Sequence, residues 1–443
     1  MFTNAQLKKL ILPLMVEQTL AVLVGMVDTV MVSSLGEAAV SGVSLMDMLS
    51  VVIINLFSAM ATGGAVVCSQ LLGAKKQNDA CKASNQLMIV VLTISIALMS
   101  FVLALKRPLI NLFFGDIEPD VMSNAITYLS ITALSYPFIA MYNGAAALFR
   151  SMNRSRVTMY ASIIANLINC AGNALGIYVF KLGVAGAAIP TLISRAVAAF
   201  ILISLLTRPG QPIHLLHGQY KPDFPVIRRI LYIGIPSGIE NSLFQLGKVI
   251  IMSVVSAFGT VQIAANAVAN TFAGFGILPA QAVNLAVITV IGHCVGAGDM
   301  EQVRFYTKKL HKWIYACLYM LNVPLLLGIR FIIRIYDLSP ETLDLACKLI
   351  IIHNGTALLF WPLAFSLPNV LRACNDVRFT MTVSVCSMAF CRVLFSFVLG
   401  RWLGMGVVGV WWAMIMDWVV RLSFFMYRYL KGTWQKTAVK ALQ

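Results

Sequence analysis

The 443-residue sequence predicts an all-α membrane protein in which twelve transmembrane helices form two parallel-repeat six-helix lobes. Three observations carry that prediction. First, 59% of the residues are hydrophobic and 11% charged, with a mean hydropathy of +0.85, whereas an average soluble domain carries roughly 25% charged residues; a soluble globule is excluded. Second, apolar runs of about the length needed to cross a bilayer recur along the chain. Third, the second half repeats local signals of the first at a nearly constant spacing.

In chain order the runs fall at 11–33, 46–70, 86–105, 124–147, 157–179 and 184–207, then at 230–257, 267–293, 312–334, 347–371, 379–399 and 404–427. The first is a full span without a small-residue cleavage site, so it reads as a retained helix and not a signal peptide. Basic residues in alternate gaps divide 22 to 6, the richer side holding Lys75, Lys76, Arg150, Arg228 and Arg229 and the poorer side being accompanied by Asp116, Glu118, Asp120, Asp337 and Glu341. Cytoplasmic gaps collect Lys and Arg, so both termini are expected in the cytoplasm of a multi-pass cell-membrane protein. The same placement accounts for the net charge of +16 without nucleic acid, because basic residues between spans face anionic lipid.

Nine cysteines without a CxxC pair lie mostly inside apolar runs, which gives no metal or disulfide framework. Five scattered histidines do not supply the clustered constellation that a membrane enzyme needs, and His214 and His217 lack further ligands for a metal. No charged or carbonyl ring of channel type is visible. The expectation is a transporter, not an enzyme, with no resident cofactor and a monomer as the unit.

The repeat is explicit. Pro13 and Glu17 meet Pro236 and Glu240, Leu35-Gly36 meets Phe258-Gly259, and Gly183 and Gly186 meet Gly406 and Gly409, all at 223 residues; Arg150, Asn153 and Arg156 meet Arg372, Asn375 and Arg378 at 222. Six spans per copy return the chain to its starting side, so the copies are parallel repeats, a geometry used for alternating access. The expected division is 1–207 for the first lobe, 208–229 for a cytoplasmic linker containing Pro209-Gly210 and Pro222, and 230–443 for the second lobe with a short tail.

The stretch Pro13-Leu-Met-Val-Glu-Gln, followed by Gly25-Met-Val-Asp28-Thr-Val-Met-Val-Ser-Ser-Leu-Gly36, resembles the multidrug and toxic compound extrusion (MATE) family. The likeness continues through Ser69-Gln-Leu-Leu-Gly-Ala74, Leu148-Phe-Arg-Ser-Met-Asn153, Gly183-Val-Ala-Gly-Ala-Ala188 and Gly234-Ile-Pro236, so it covers nearly the whole chain. It implies a MATE-type fold and a secondary antiporter that expels amphipathic, often cationic, organic molecules against inward H⁺ or Na⁺. It also implies that Asp28 is the cation-coupling group. A lipid or lipid-linked sugar flippase of the wider superfamily is the competing reading, but such carriers commonly have two extra helices and a more basic cavity, neither of which is legible here.

Charges inside spans cost roughly 2.5–3.5 kcal/mol on insertion scales, so each is a functional candidate. Asp28 lies some 17 residues, about 25 Å at 1.5 Å per residue, into its run. Glu17 precedes it by eleven residues and falls within about 20° of the same helix face. Glu17 and Glu240 share a Pro-x-x-x-Glu pattern, which fits either substrate contact or bonding of the backbone freed by proline. Asn169 and Asn173 share a helix face; some family members carry Asp at the second position, so the resemblance leaves the first lobe with one carboxylate there. Sodium-type members hold further acids in helices seven and ten, whereas helix ten here has only His353. Asp417 and Arg421 are spaced to form an internal ion pair, and Asp47 is expected at the solvated outer mouth of helix two. With few carboxylates in each lobe, H⁺ is the favoured coupling ion over Na⁺.

Overall fold

A computed structural model of the chain describes residues 1–115, 117–216, 218, 221–336 and 338–440. Asp116, His217 and Asp337 lie outside the described residues. The chain is helical: α1 (Asn4–Ser33), α2 (Glu37–Gly73), α3 (Gln77–Ala104), a short α4 (Lys106–Phe114), α5 (Pro119–Ala133), α6 (Tyr136–Ser151), α7 (Ser155–Ala174) and α8 (Ala185–Leu206) precede the linker. After it come α9 (Phe224–Ser256), α10 (Thr260–Gly296), α11 (Met300–Ile332), α12 (Pro340–Trp361), α13 (Leu367–Ala373), α14 (Val377–Ser387), α15 (Gly406–Leu430) and α16 (Thr433–Lys440). Eleven stretches are long and apolar enough to cross a membrane, and α5 with α6, bent by 46°, makes a twelfth. The bend follows from Pro137 at the start of α6, which cannot continue the hydrogen-bond ladder of α5.

The helices outrun the apolar runs. α2 and α10 have 37 residues each, about 55 Å at 1.5 Å per residue, against a hydrocarbon core of roughly 30 Å. Hydropathy marks only the part facing lipid tails; the backbone stays helical through the headgroup layer because its hydrogen bonds are still best made internally. Side chains follow the inside-out logic of a lipid solvent, with Leu327 and Phe331 of α11 at 84% and 80% exposed.

Contacts divide the chain into two compact units, Phe2–Gly238 and Ile239–Gln443, with the boundary inside α9. In the first unit α2 packs on α3, α5 and α6, and α7 packs on α1 and α8. In the second α10 packs on α11, α12 and α13. The backbone repeats between the units. Gly36 and Gly259 stand at the N-termini of α2 and α10 with φ of 98° and 93°, and Asn153 and Asn375 both turn the chain at φ 63°. These are left-handed conformations that favour Gly and Asn, so the recurring residue types mark recurring turns. π-helical turns at Leu175–Val179 in the first unit and at Met388–Leu394 and Ser396–Trp402 in the second interrupt equivalent spans.

Candidate functional site

A cavity of about 450 Å³ lies within the first unit, walled by α1, α2, α5, α6, α7 and α8. Three carboxylates line it, Glu17, Asp28 and Asp47, together with one cation, Arg195. Among the described residues they are not grouped closely enough with other His, Cys, Asp or Glu to share one metal ion.

Asp28 stands 24 residues past the start of α1, farther along the helix than the apolar run implied, because the capping box of Thr3 and Gln6 starts the helix earlier. Across from it α7 presents Asn169 and Asn173, one helical turn apart. Asn173 Nδ2 donates to Asp28 Oδ1 at 2.8 Å. In the orientation of the Asn169 amide that satisfies both of its ends, Nδ2 donates to Oδ1 and Oδ2 of Asp28 at 3.1 and 3.0 Å, while its oxygen accepts from Thr191 Oγ1 at 3.0 Å. The carboxylate is therefore bound by two amides of one neighbouring helix, and a third helix, α8, fixes one of those amides.

Glu17, buried on the same wall, accepts from Thr158 Oγ1 at 3.0 Å and from Tyr142 at 3.4 Å. It does not bond the backbone freed by Pro13. Proline removes the donor that Lys9 O would otherwise accept, and Ser155 Oγ supplies it at 3.3 Å; a carboxylate, an acceptor itself, has no proton to offer there. The proline-bonding reading of the Pro-x-x-x-Glu pattern is corrected accordingly.

Asp47 is ten residues into α2 and exposed. It accepts from Tyr128 OH at 3.0 Å and faces the cavity with Val40, Val43 and Ser44. Hydropathy missed it because the apolar run begins at 46 while the helix begins at Glu37; the i, i+3, i+4, i+7 spacing of 40, 43, 44 and 47 was the available signal. Arg195 on α8 donates to Ser135 Oγ at 2.7 Å in the same cavity.

Glu240 and His353 do not belong to this cavity. Glu240 pairs with Arg372 at 2.6 Å, both largely shielded from solvent. His353 contacts Asn354 Oδ1 through Nδ1 at 2.7 Å and lies edge-on to Trp411 and Trp418 with ring centroids 5.6 and 5.0 Å away. Asp417 and Arg421 form the internal pair that their spacing predicts, at 2.9 Å.

The MatE family model matches residues 13–175 and again 236–398, so the two matches stand 223 residues apart. The chain is 26% identical over 444 aligned residues to a probable multidrug resistance protein NorM of Thermotoga maritima, covering 98% of this chain and 94% of the relative. It is 26% identical to an uncharacterized transporter, YisQ, of Bacillus subtilis, covering 94% and 91%. Among solved structures, a MOP-superfamily transporter from Pyrococcus furiosus, described as having a binding pocket of reverse polarity, superposes with a TM-score of 0.89 at 18% identity, over 97% of this chain and 96% of that one.

Proposed function

Since the chain belongs to the MATE family of multidrug efflux transporters, we propose that it exports amphipathic organic molecules, cationic ones included, in exchange for protons by alternating access, with Asp28 as the group that carries the proton. The observation that supports this reading is the pair of amide donors on Asp28. An ionised carboxylate is an acceptor only and suits two incoming N–H groups; once protonated it carries a donor of its own and loses acceptor capacity. Proton occupancy therefore changes how firmly α1 is tied to α7, and a change in helix ties is what alternating access requires. Na⁺ would need several oxygen ligands around Asp28, whereas a proton needs only the carboxyl itself.

The test is transport in proteoliposomes. A pH gradient in Na⁺-free buffer should drive export of an organic cation, substrate addition should release protons, and Asp28→Asn at matched incorporation should reduce both to background. Gradient-driven export by the Asn variant at the wild-type rate would remove Asp28 from this role. Export that needs Na⁺ and ignores pH would replace the proton with a metal ion.

A further inference from the structure

The second unit holds a charge cluster of opposite sign. Lys248 Nζ lies 5.0 Å from the ring centre of Phe244, and Arg392 and Arg421 place their guanidinium carbons 5.2 and 5.3 Å from the same ring. One carboxylate, Asp417, serves this group: it is 2.9 Å from Arg421 and 3.9 Å from Arg392. It also accepts from Ser387. Lys248 forms no ion pair among the described residues, and Glu240, one turn before Phe244, is already taken by Arg372. Among the described residues, three cations against one acid leave a net excess of two positive charges inside membrane-spanning segments, where each is costly unless something answers it. The cluster is not legible along the sequence, for the charges come together only when α9, α15 and the π-turn at Met388–Leu394 pack.

The repeat says what this place is. At the 223-residue offset Phe244, Lys248, Asp417 and Arg421 fall opposite Ala21, Gly25, Ser194 and Ala198, and all four of those line the acidic cavity of the first unit; Arg392 lies on the span along which the offset passes from 222 to 223. The basic cluster occupies the equivalent position in the second unit, with the polarity inverted. It is open on the Lys248 side, since Lys248 is exposed and Arg392 is 13% exposed, while Arg421 and Asp417 are closed in. Phe365, edge-on to Phe244 with centroids 6.3 Å apart, continues the aromatic surface, backed by the buried Trp361 stacked on it at 5.3 Å.

We propose that Lys248 and Arg392, with the Phe244–Phe365 aromatic surface, form a site for the anionic group of an amphipathic molecule, a sulfonate, carboxylate or phosphate joined to an apolar body. Two donors of positive charge over an aromatic floor match such a ligand: the anion supplies the missing counter-charge through charge-assisted hydrogen bonds, and the body covers the rings. This deepens the exporter reading and rests on it, adding amphipathic anions and zwitterions to the substrates. The anion could arrive on a free solute or on a lipid headgroup, which share this chemistry.

The test uses a matched series in which only charge varies: naphthalene-1-sulfonate, naphthalene-1-sulfonamide and 1-naphthylmethylammonium, bound at equilibrium to the full chain in nanodiscs of uncharged lipid. The sulfonate should bind about tenfold or more tighter than the sulfonamide, and Lys248→Met and Arg392→Met should each abolish that preference while the sulfonamide affinity and the thermal unfolding profile stay put. Lys248 is exposed and decides the matter alone if Arg392→Met disturbs the packing around Asp417. Displacement of the sulfonate by a few per cent of phosphatidylglycerol assigns the site to lipid headgroups, and no displacement assigns it to free solutes; both uphold an anion site. A sulfonate that binds no tighter than the sulfonamide, or a preference that survives both substitutions, overturns it. Binding is read without a gradient and in the Asp28→Asn background, so failure of the coupling scheme and failure of this site are separate results.

Discussion

At the scale of single residues, what a buried charge does is decided by who completes its hydrogen bonds. Glu17 and Glu240 occupy equivalent positions in the repeat, yet one is held by the neutral hydroxyls of Thr158 and Tyr142 and the other by the guanidinium of Arg372. The two should answer mutation differently. Arg372→Ala leaves a buried carboxylate unpaired and should cost about 3–5 kcal/mol, seen as a large loss of thermal stability in detergent; converting both Glu240 and Arg372 to Leu should recover most of it. Glu17→Gln keeps an acceptor for Thr158 and should cost no more than about 1 kcal/mol. Equal losses from Arg372→Ala and Glu17→Gln would refute this account of the difference.

At the scale of elements, small residues set how closely helices approach. A side-chain carbon added at Gly186 would lie 2.6 Å from the backbone of Gly176, and one added at Gly409 would lie 2.7 Å from that of Leu399. Both glycines sit where the start of α8 or α15 crosses a π-helical segment, so the Gly183-x-x-Gly186 and Gly406-x-x-Gly409 repeats record one packing solution used twice. Gly186→Val should force the pair apart at a cost of roughly 1–3 kcal/mol or more, lowering the yield of monodisperse protein. Gly274, with nothing within 4 Å of the added carbon, is the control, and Gly274→Ala should be neutral or slightly stabilising. A Gly186 variant as stable as the Gly274 variant would remove close approach as the reason for the motif.

At the scale of the whole molecule, the 22 to 6 division of basic residues makes an orientation prediction that hydropathy alone does not. Reporters within the Arg208–Arg229 linker and at the C-terminus should report cytoplasm, and a tag between Lys106 and Pro119 should be labelled from outside in intact cells. External labelling of the linker would reverse the assignment. Polarity is also distributed at this scale: the first unit carries three cavity carboxylates and one Arg, and the second carries an excess of cations at the equivalent place. Duplication supplied the same helical frame twice, and a handful of substitutions such as Gly25 against Lys248 gave the two copies opposite charge.

The number of spans, the six-plus-six repeat and the turn residues such as Gly36 and Gly259 are all readable in the sequence, because hydropathy, helical period and backbone preference are local properties. Tertiary structure alone decided that Asp47 enters the cavity wall, that Ser155 and not Glu17 satisfies the carbonyl freed by Pro13, and that Lys248, Arg392 and Arg421 meet over Phe244. Each of those outcomes is a matter of solvation by residues far away in the chain. Glu17 is bonded by a hydroxyl 141 positions along, and Ser155 reaches Lys9 across 146. In a lipid-filled surround no water stands in for a missing partner, so the environment of a polar group is whatever the packed helices bring to it.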